Sequence, residues 1–204
     1  MACSLIRQVN ADHQIIEGWS FGGGTAMMIQ IDHRESHDVD IFLPDPQFLS
    51  YLDPQKQNFE FEVVPHDYGG DGTGFLKIAF ADGEIDFIVG PAMTEAPTIA
   101  REIENEIVLL ETVPEIITKK IYYRGSSIKP RDIFDIAAAG ETDANSIISA
   151  LRSYPKQVEQ TLATIDKLNP EFVYATIQQL MLRDHCRNIA TTAIDRAKEI
   201  LRAV

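Results

Sequence analysis

Phe21–Phe42 reads FGGGTAMMIQIDHRESHDVDIF, and the order of residue types in it decides the fold. Gly22, Gly23 and Gly24 follow a short apolar run, Trp19–Phe21, and precede Thr25–Gln30, good helix formers behind a threonine able to cap. The spacing predicts a strand, a tight turn and a helix. Glycine at such a turn serves the turn itself, and it also lets backbone N–H groups approach a phosphate at the positive end of the helix. No Gly-Lys-Ser/Thr follows, so this is not a Walker loop, and the third glycine of the Rossmann pattern is missing at its spacing. Asp38–Leu43 (DVDIFL) then begins with the polar–apolar alternation of a half-buried strand. Asp38 and Asp40 lie two apart on it, so both carboxylates project from one face, about 7 Å apart at the backbone. Like charges this close repel unless a cation sits between them. The pair is either an ordinary solvated strand face or a holder of divalent ions.

Downstream, Phe59–Val64 (FEFEVV), Phe75–Phe80 (FLKIAF) and Ile85–Val89 (IDFIV) read as strands separated by the turn clusters DYGGDGTG and ADGE, with Asp82-Gly83 at hairpin distance. Asp86 sits between apolar neighbours, where an acid is costly in a dry core. It is expected to face a cleft, either merely solvated on a hairpin strand or joined with Asp38 and Asp40 in a two-metal site with ions about 3.5–4 Å apart. Glu84, on the same strand face, is the alternative third acid. Upstream, residues 5–17 have helical spacing, and Asp45–Tyr51 suggests a short helix. These elements predict an α/β core over residues 1–112 with a mixed, largely antiparallel sheet.

After Pro114 the pattern becomes helical: Glu115–Arg124, Pro130–Ala139, Ala144–Ser153, Pro155–Leu168 and Pro170–Leu201. Residues 113–204 are therefore expected to be a helical bundle completing a cleft, and the fold class is α+β. Residues 1–100 carry four basic and sixteen acidic side chains, whereas residues 101–204 carry fourteen and fifteen, within a total of −13. The first half is a poor surface for a nucleic-acid backbone. Lys119–Arg131 (KKIYYRGSSIKPR) reverses the balance with five basic residues and no acid, which suggests a phosphate-binding edge. Lys119 and Lys120 diverge by about 100° on a helix, so only one can be central.

Other features read as bland. Cys3 and Cys186 stand at opposite ends of the 204 residues, outside any CxxC or Cys/His cluster. His33 and His37 have a zinc spacing, but the nearby acids prefer hard ions. Tyr122, Tyr123 and Phe134 could stack a base but suit a helical core equally, and Arg183, Arg187 and Arg196 alternate with acids as on a solvated face. The N-terminus lacks the features of a secretory signal and no apolar run approaches the ~20 residues that span a bilayer, so a cytoplasmic location without membrane contact is expected.

Gly23, Gly24, Thr25, His33, Arg34, Ser36, Asp38 and Asp40, followed by TKKIYYRG and KPRDIFDIA, together resemble the nucleotidyltransferase toxins of the AbiEii/AbiGii type. These belong to type IV toxin–antitoxin and abortive-infection systems, within the DNA polymerase beta-like nucleotidyltransferase superfamily, and the likeness covers about residues 18–140. The resemblance implies a polymerase beta-like core and transfer of NMP from an NTP with Mg2+ or Mn2+. Asp38, Asp40, Lys120 and Asp132 would be catalytic; Gly23, Gly24, Thr25, Arg34, Ser36, Lys120 and Arg131 would bind NTP; Asp38, Asp40 and Asp86 would hold metal, and Asp135 would support Asp132. It implies as partners an NTP, an acceptor that could be RNA such as tRNA, a protein or a small molecule, and a cognate antitoxin. A catalytically silent nucleotide-binding or interaction module on this fold and an antibiotic-type nucleotidyltransferase are the alternatives.

Overall fold

The computed structural model describes residues 1–11, 14–103 and 105–204. Its elements run α1 (Ala2–Asn10), β1 (Ser20–Gly22), α2 (Gly23–Ile31), β2 (Val39–Leu43), α3 (Phe48–Leu52), β3 (Asp67–Gly70), β4 (Phe75–Phe80), β5 (Gly83–Val89), β6 (Thr98–Ile103), β7 (Glu106–Glu111), α4 (Val113–Arg124), α5 (Pro130–Leu151), α6 (Pro155–Ile165), α7 (Pro170–Gln178) and α8 (Ala193–Arg202).

Among the described residues seven strands form one sheet in the order β3-β4-β5-β2-β1-β7-β6. The β5–β2 and β1–β7 pairs are parallel and the other four antiparallel, giving the mixed, largely antiparallel sheet expected. The Asp82-Gly83 turn joins β4 to β5 as a hairpin with Phe80 opposite Gly83. Alternation sets the burial: Leu76, Ile78 and Phe80 of β4 and Ile85 and Phe87 of β5 are buried, as are Ile41 and Leu43 of β2.

Several boundaries differ from the sequence reading, each for an identifiable reason. The first helix stops at Asn10, whose side chain accepts from the N–H groups of Ile15 and Ile16 and donates to the Ile16 carbonyl. Those bonds replace the helical ladder for residues 15 and 16; Asp12 and His13, within the predicted helix, lie outside the described residues. FEFEVV is not a strand. Phe59 packs edge to face on Phe61, Phe61 tilts against Phe80, Gln8 binds the Glu60 backbone, and Val63 and Val64 are exposed. The edge position goes instead to DYGG, read as a turn, because strand pairing needs only backbone groups and this stretch supplies them opposite Leu76–Ala79.

The hairpin β6–β7 lies outside the sequence reading; its outer strand β6 is largely exposed, while Val108, Leu110 and Glu111 of β7 are buried. Helix α5 joins two predicted helices across a non-helical residue, Asp143. The predicted final helix breaks after α7, where Arg183 N donates to His33 O, Glu35 N donates to Met181 O, and Arg34 and Leu182 form an isolated antiparallel bridge. Residues 181–183 thus pair as strand with residues 33–35 rather than continuing the helix.

Two compact units result. The first comprises residues 1–26, 37–92 and 98–111 and contains the sheet with α1 and α3. The second comprises residues 27–36, 93–97 and 112–204 and contains α4 to α8. Two segments ahead of residue 112, residues 27–36 and 93–97, thus belong to the helical unit. Glu115 explains one of them, since its carboxylate accepts from Met93 N and the Thr94 hydroxyl. The helical core is built from Ile116, Ile117, Ile121, Ile133, Phe134, Ile136, Ile147, Val173 and Leu201, all at most 2% exposed. Among the described residues no helix is long and apolar enough to cross a membrane.

Candidate active site

In the sheet unit, one row of residues runs across four strands. Lys77 on β4 is opposite Asp86 on β5, Asp86 is opposite Asp40 on β2, and Asp40 is opposite Gly22 on β1. Directly paired residues share a face of the sheet, so these side chains project together. Asp38 immediately precedes β2 and is half-buried, as are Asp40 and Asp86.

The glycines make the row possible. Gly23 opens α2 with φ +68°, a conformation rare for any residue with a Cβ. A Cβ there would lie inside the Asp40 carboxylate, and one at Gly22 would overlap the carboxylate of Glu111. Both turn positions therefore admit a carboxylate against bare backbone. Thr25, expected to cap the helix or bind nucleotide, donates its hydroxyl to the Asp38 carbonyl and ties the first turn of α2 to the chain entering β2. Glu111 at the end of β7 is 1% exposed and accepts from the Ser20 hydroxyl at 2.8 Å.

Asp86 lies beside Asp40 by register, yet its carboxylate also meets a cation. Lys77 Nζ stands 2.5 Å from Glu84 Oε1 and 3.4 Å from Asp86 Oδ1, and that buried oxygen accepts no hydrogen bond among the described residues. Burial pushes the Asp86 carboxyl above its ordinary value; Lys77 pulls it down, and Asp40 and Glu84 push it up. Burial alone would lower Lys77, but Glu84 and Asp86 outweigh it and keep the ammonium charged. Among the described residues no three His, Cys, Asp or Glu side chains gather closely enough to hold a metal ion.

The helical unit holds a second constellation, and it is buried. Asp135, fully buried on α5, accepts from Arg34 Nε at 2.7 Å and Arg34 Nη2 at 3.0 Å, contacts His33 Nε2 at 3.0 Å, and pairs with Lys120 Nζ at 3.0 Å. Lys120 also donates to Asp132 at 2.7 Å, and Asp132 accepts from Lys129 N through its other oxygen. Desolvation would raise Asp135, but Lys120 and Arg34, with hydrogen bonds from His33 and Arg34, hold it well below the ordinary carboxylate range. Burial likewise opposes the charge on Lys120, and Asp135 and Asp132 reverse it, so Lys120 remains an ammonium.

This geometry changes the reading of several residues. Arg34 is 6% exposed, its third guanidinium nitrogen donates to the Glu35 carbonyl, and its fork is committed to Asp135 rather than presented to solvent. Lys119 and Lys120 are 5% and 8% exposed, so the basic stretch is not a continuous surface edge. Lys119 turns to Glu115 at 3.4 Å while Lys120 turns to Asp132 and Asp135, as the helical angle between them requires. Arg131 is half-buried in the first turn of α5, and Ser36 is half-buried before β2. His33 spends its Nε2 on Asp135, which does not suit the zinc spacing with His37. Asp135 as a hub and Lys77 as a partner of the carboxylates escaped the sequence reading. A lone lysine in the alternating strand FLKIAF was the available signal for the second.

The sheet unit thus sets an Asp-x-Asp strand beside a glycine turn in a mixed sheet, and the helices of the second unit follow in the chain. The chain belongs to the AbiEii family, nucleotidyl transferase toxins of type IV toxin–antitoxin systems, whose model matches residues 5–202. The fold is similar to MenT4, a nucleotidyltransferase toxin from Mycobacterium tuberculosis, with a TM-score of 0.57 and 13% identity over 98% of this chain and 81% of that one. It is also similar to a Helicobacter pylori protein described as a nucleotidyltransferase (TM-score 0.52, 14% identity, 98% and 90% covered). A third likeness is to JHP933 from Helicobacter pylori (TM-score 0.51, 13% identity, 98% and 87% covered). No curated protein matches the chain.

Proposed function

We propose that this chain transfers NMP from an NTP to an acceptor, with release of pyrophosphate and dependence on Mg2+ or Mn2+. The observation that carries the reading is the Asp40 carboxylate packed where a Cβ of Gly23 would be, at the mouth of a helix whose first residues are glycines. The donors available on this face are carboxylate oxygens, the ligands that hard divalent cations prefer, so the residues fit the group. Asp38 and Asp40 would hold it, and when bound it would supply charge neutralisation at the transferred phosphorus.

The chain's own contributions follow from its residues. The backbone of Gly23 and Gly24 gives N–H groups at the positive end of α2, suited to phosphate oxygens. Thr25 keeps that turn locked to the strand bearing the acids. Lys120, kept charged by its two carboxylates, is assigned to stabilising charge during transfer, and Asp132 to orienting it. Arg34, His33 and Asp135 are assigned to positioning rather than to touching the nucleotide. The setting suggested by family membership is that of a toxin with a cognate antitoxin.

The test incubates the protein with each radiolabelled NTP, Mg2+ or Mn2+ and a cell extract, then asks which macromolecule or metabolite gains label. Transfer that requires the divalent ion and disappears in Asp38→Asn with Asp40→Asn is the expected result. Label transfer undiminished in that double variant defeats the reading.

A further inference from the structure

Lys77 is a charged group that the proposed transfer does not use. It lies on β4 directly opposite Asp86, within reach of both carboxylates of β5 on this face, at 2.5 Å from Glu84 and 3.4 Å from Asp86. On the other side of Asp86 in the row stands Asp40. Asp86 is therefore flanked by a tethered ammonium on one side and by the Asp38/Asp40 pair on the other, and its buried Oδ1 has the lysine as its nearby cation. This agrees with the lack, among the described residues, of any three acids gathered around one point.

We propose that Lys77 is the resident cation of the row: it takes the place beside Glu84 and Asp86 that a second divalent ion would fill, so the site accepts one divalent ion, on Asp38 and Asp40. The inference rests on the metal reading above and sharpens it from a two-ion to a one-ion site. Charge supports it. Asp40 and Asp86 are paired across β2 and β5, with Asp38 and Glu84 two residues before them in the chain, and like charges on neighbouring strands favour a cation beside them. A lysine on a neighbouring strand supplies one permanently, with no ion to dehydrate and no loss of translational freedom at each cycle. A divalent ion entering beside Asp86 would have to expel Lys77 from Glu84 or sit against its charge. The Lys77 side chain is 38% exposed, so an ordinary surface ion pair is the rival account, and that account predicts no change in ion number when Lys77 is replaced.

The experiment titrates Mn2+ into the nucleotide-free full chain and counts bound ions from the loss of the free-ion EPR signal. Wild type is expected to bind one ion in the tight phase, Lys77→Arg one, and Lys77→Gln and Lys77→Ala two each, with unchanged melting temperature as the folding control. Two ions in wild type, or one in both neutral variants, overturns the proposal while leaving a metal site on Asp38 and Asp40 intact. Asp38→Asn with Asp40→Asn is expected to lose the wild-type ion. If that variant binds as wild type does, the metal reading itself falls, and the role of Lys77 falls with it.

Discussion

The carboxylate row of the sheet unit and the ionic cluster of the helical unit use the same residue types to opposite ends. In the cluster every member of the set His33, Arg34, Lys120, Asp132 and Asp135 is at most 8% exposed, and Asp135 alone receives three side chains. In the row, Asp38, Asp40 and Asp86 are only half-buried, and acids outnumber the nearby ammonium. Burial with full pairing makes a permanent fixture, because removing any partner strands a charge in a medium that solvates it poorly. Partial exposure with excess charge of one sign makes a place where ligands exchange.

The strongest way to break this contrast is to remove the hub. Asp135→Ala should destabilise the protein by about 3–5 kcal/mol in urea unfolding, since Arg34 and Lys120 are left buried without it. The same residue sets an acid limit. A carboxyl held below its ordinary value contributes stability above that value, near pH 4, and loses the contribution as the pH falls through the folded-state pKa. Asp135→Asn should therefore be less stable at neutral pH and show less additional loss in acid than wild type. If Asp135→Ala melts like wild type, the cluster is not the fixture described here.

Next in size, Asp38→Asn with Asp40→Asn should lower label transfer by roughly 10²–10³-fold or more, with melting temperature unchanged or raised because like-charge repulsion is relieved. A stability loss matching that of Asp135→Ala would erase the distinction between the two regions. Lys120 belongs to the cluster by structure and to transfer by assignment, so it sharpens the comparison. Lys120→Ala should cost about 2–4 kcal/mol of transition-state stabilisation, and Lys119→Ala much less, as label-transfer rates would reveal. The smallest expected effect is that of Gly23→Ala, at roughly 1–2 kcal/mol of backbone strain from a non-glycine residue at positive φ. It should also weaken Mn2+ binding by displacing Asp40, and calorimetry with unchanged Mn2+ affinity would separate the glycine from the acid.

The sequence made the row legible because its spacing is local. Gly23, Asp38 and Asp40 fall within eighteen residues, and alternation alone puts the two acids on one face. Asp86 could be guessed from an acid among apolar neighbours, although its register against Asp40 depends on a parallel pairing that no local pattern encodes. The cluster was hidden for the opposite reason. Asp135 meets His33 and Arg34 across 102 and 101 residues, and nothing near Asp135 signals such partners. The basic stretch misled because charge counts do not reveal burial, and FEFEVV misled because alternation of side chains was outweighed by aromatic packing while DYGG supplied the edge through its backbone.

The bridge between Arg34 and Leu182 has a consequence for how the protein comes into being. Translation at about 5–20 residues per second puts roughly 7–30 s between the synthesis of these two positions. Throughout that interval the nascent chain carries the 33–35 segment without its strand partner, and Arg34 waits through most of it for Asp135. A ribosome that stops short of residue 182 leaves the segment preceding Asp38 and Asp40 held through Asp135, without its backbone partner. Residues 181–183 thus close a loop that residues 33–35 opened.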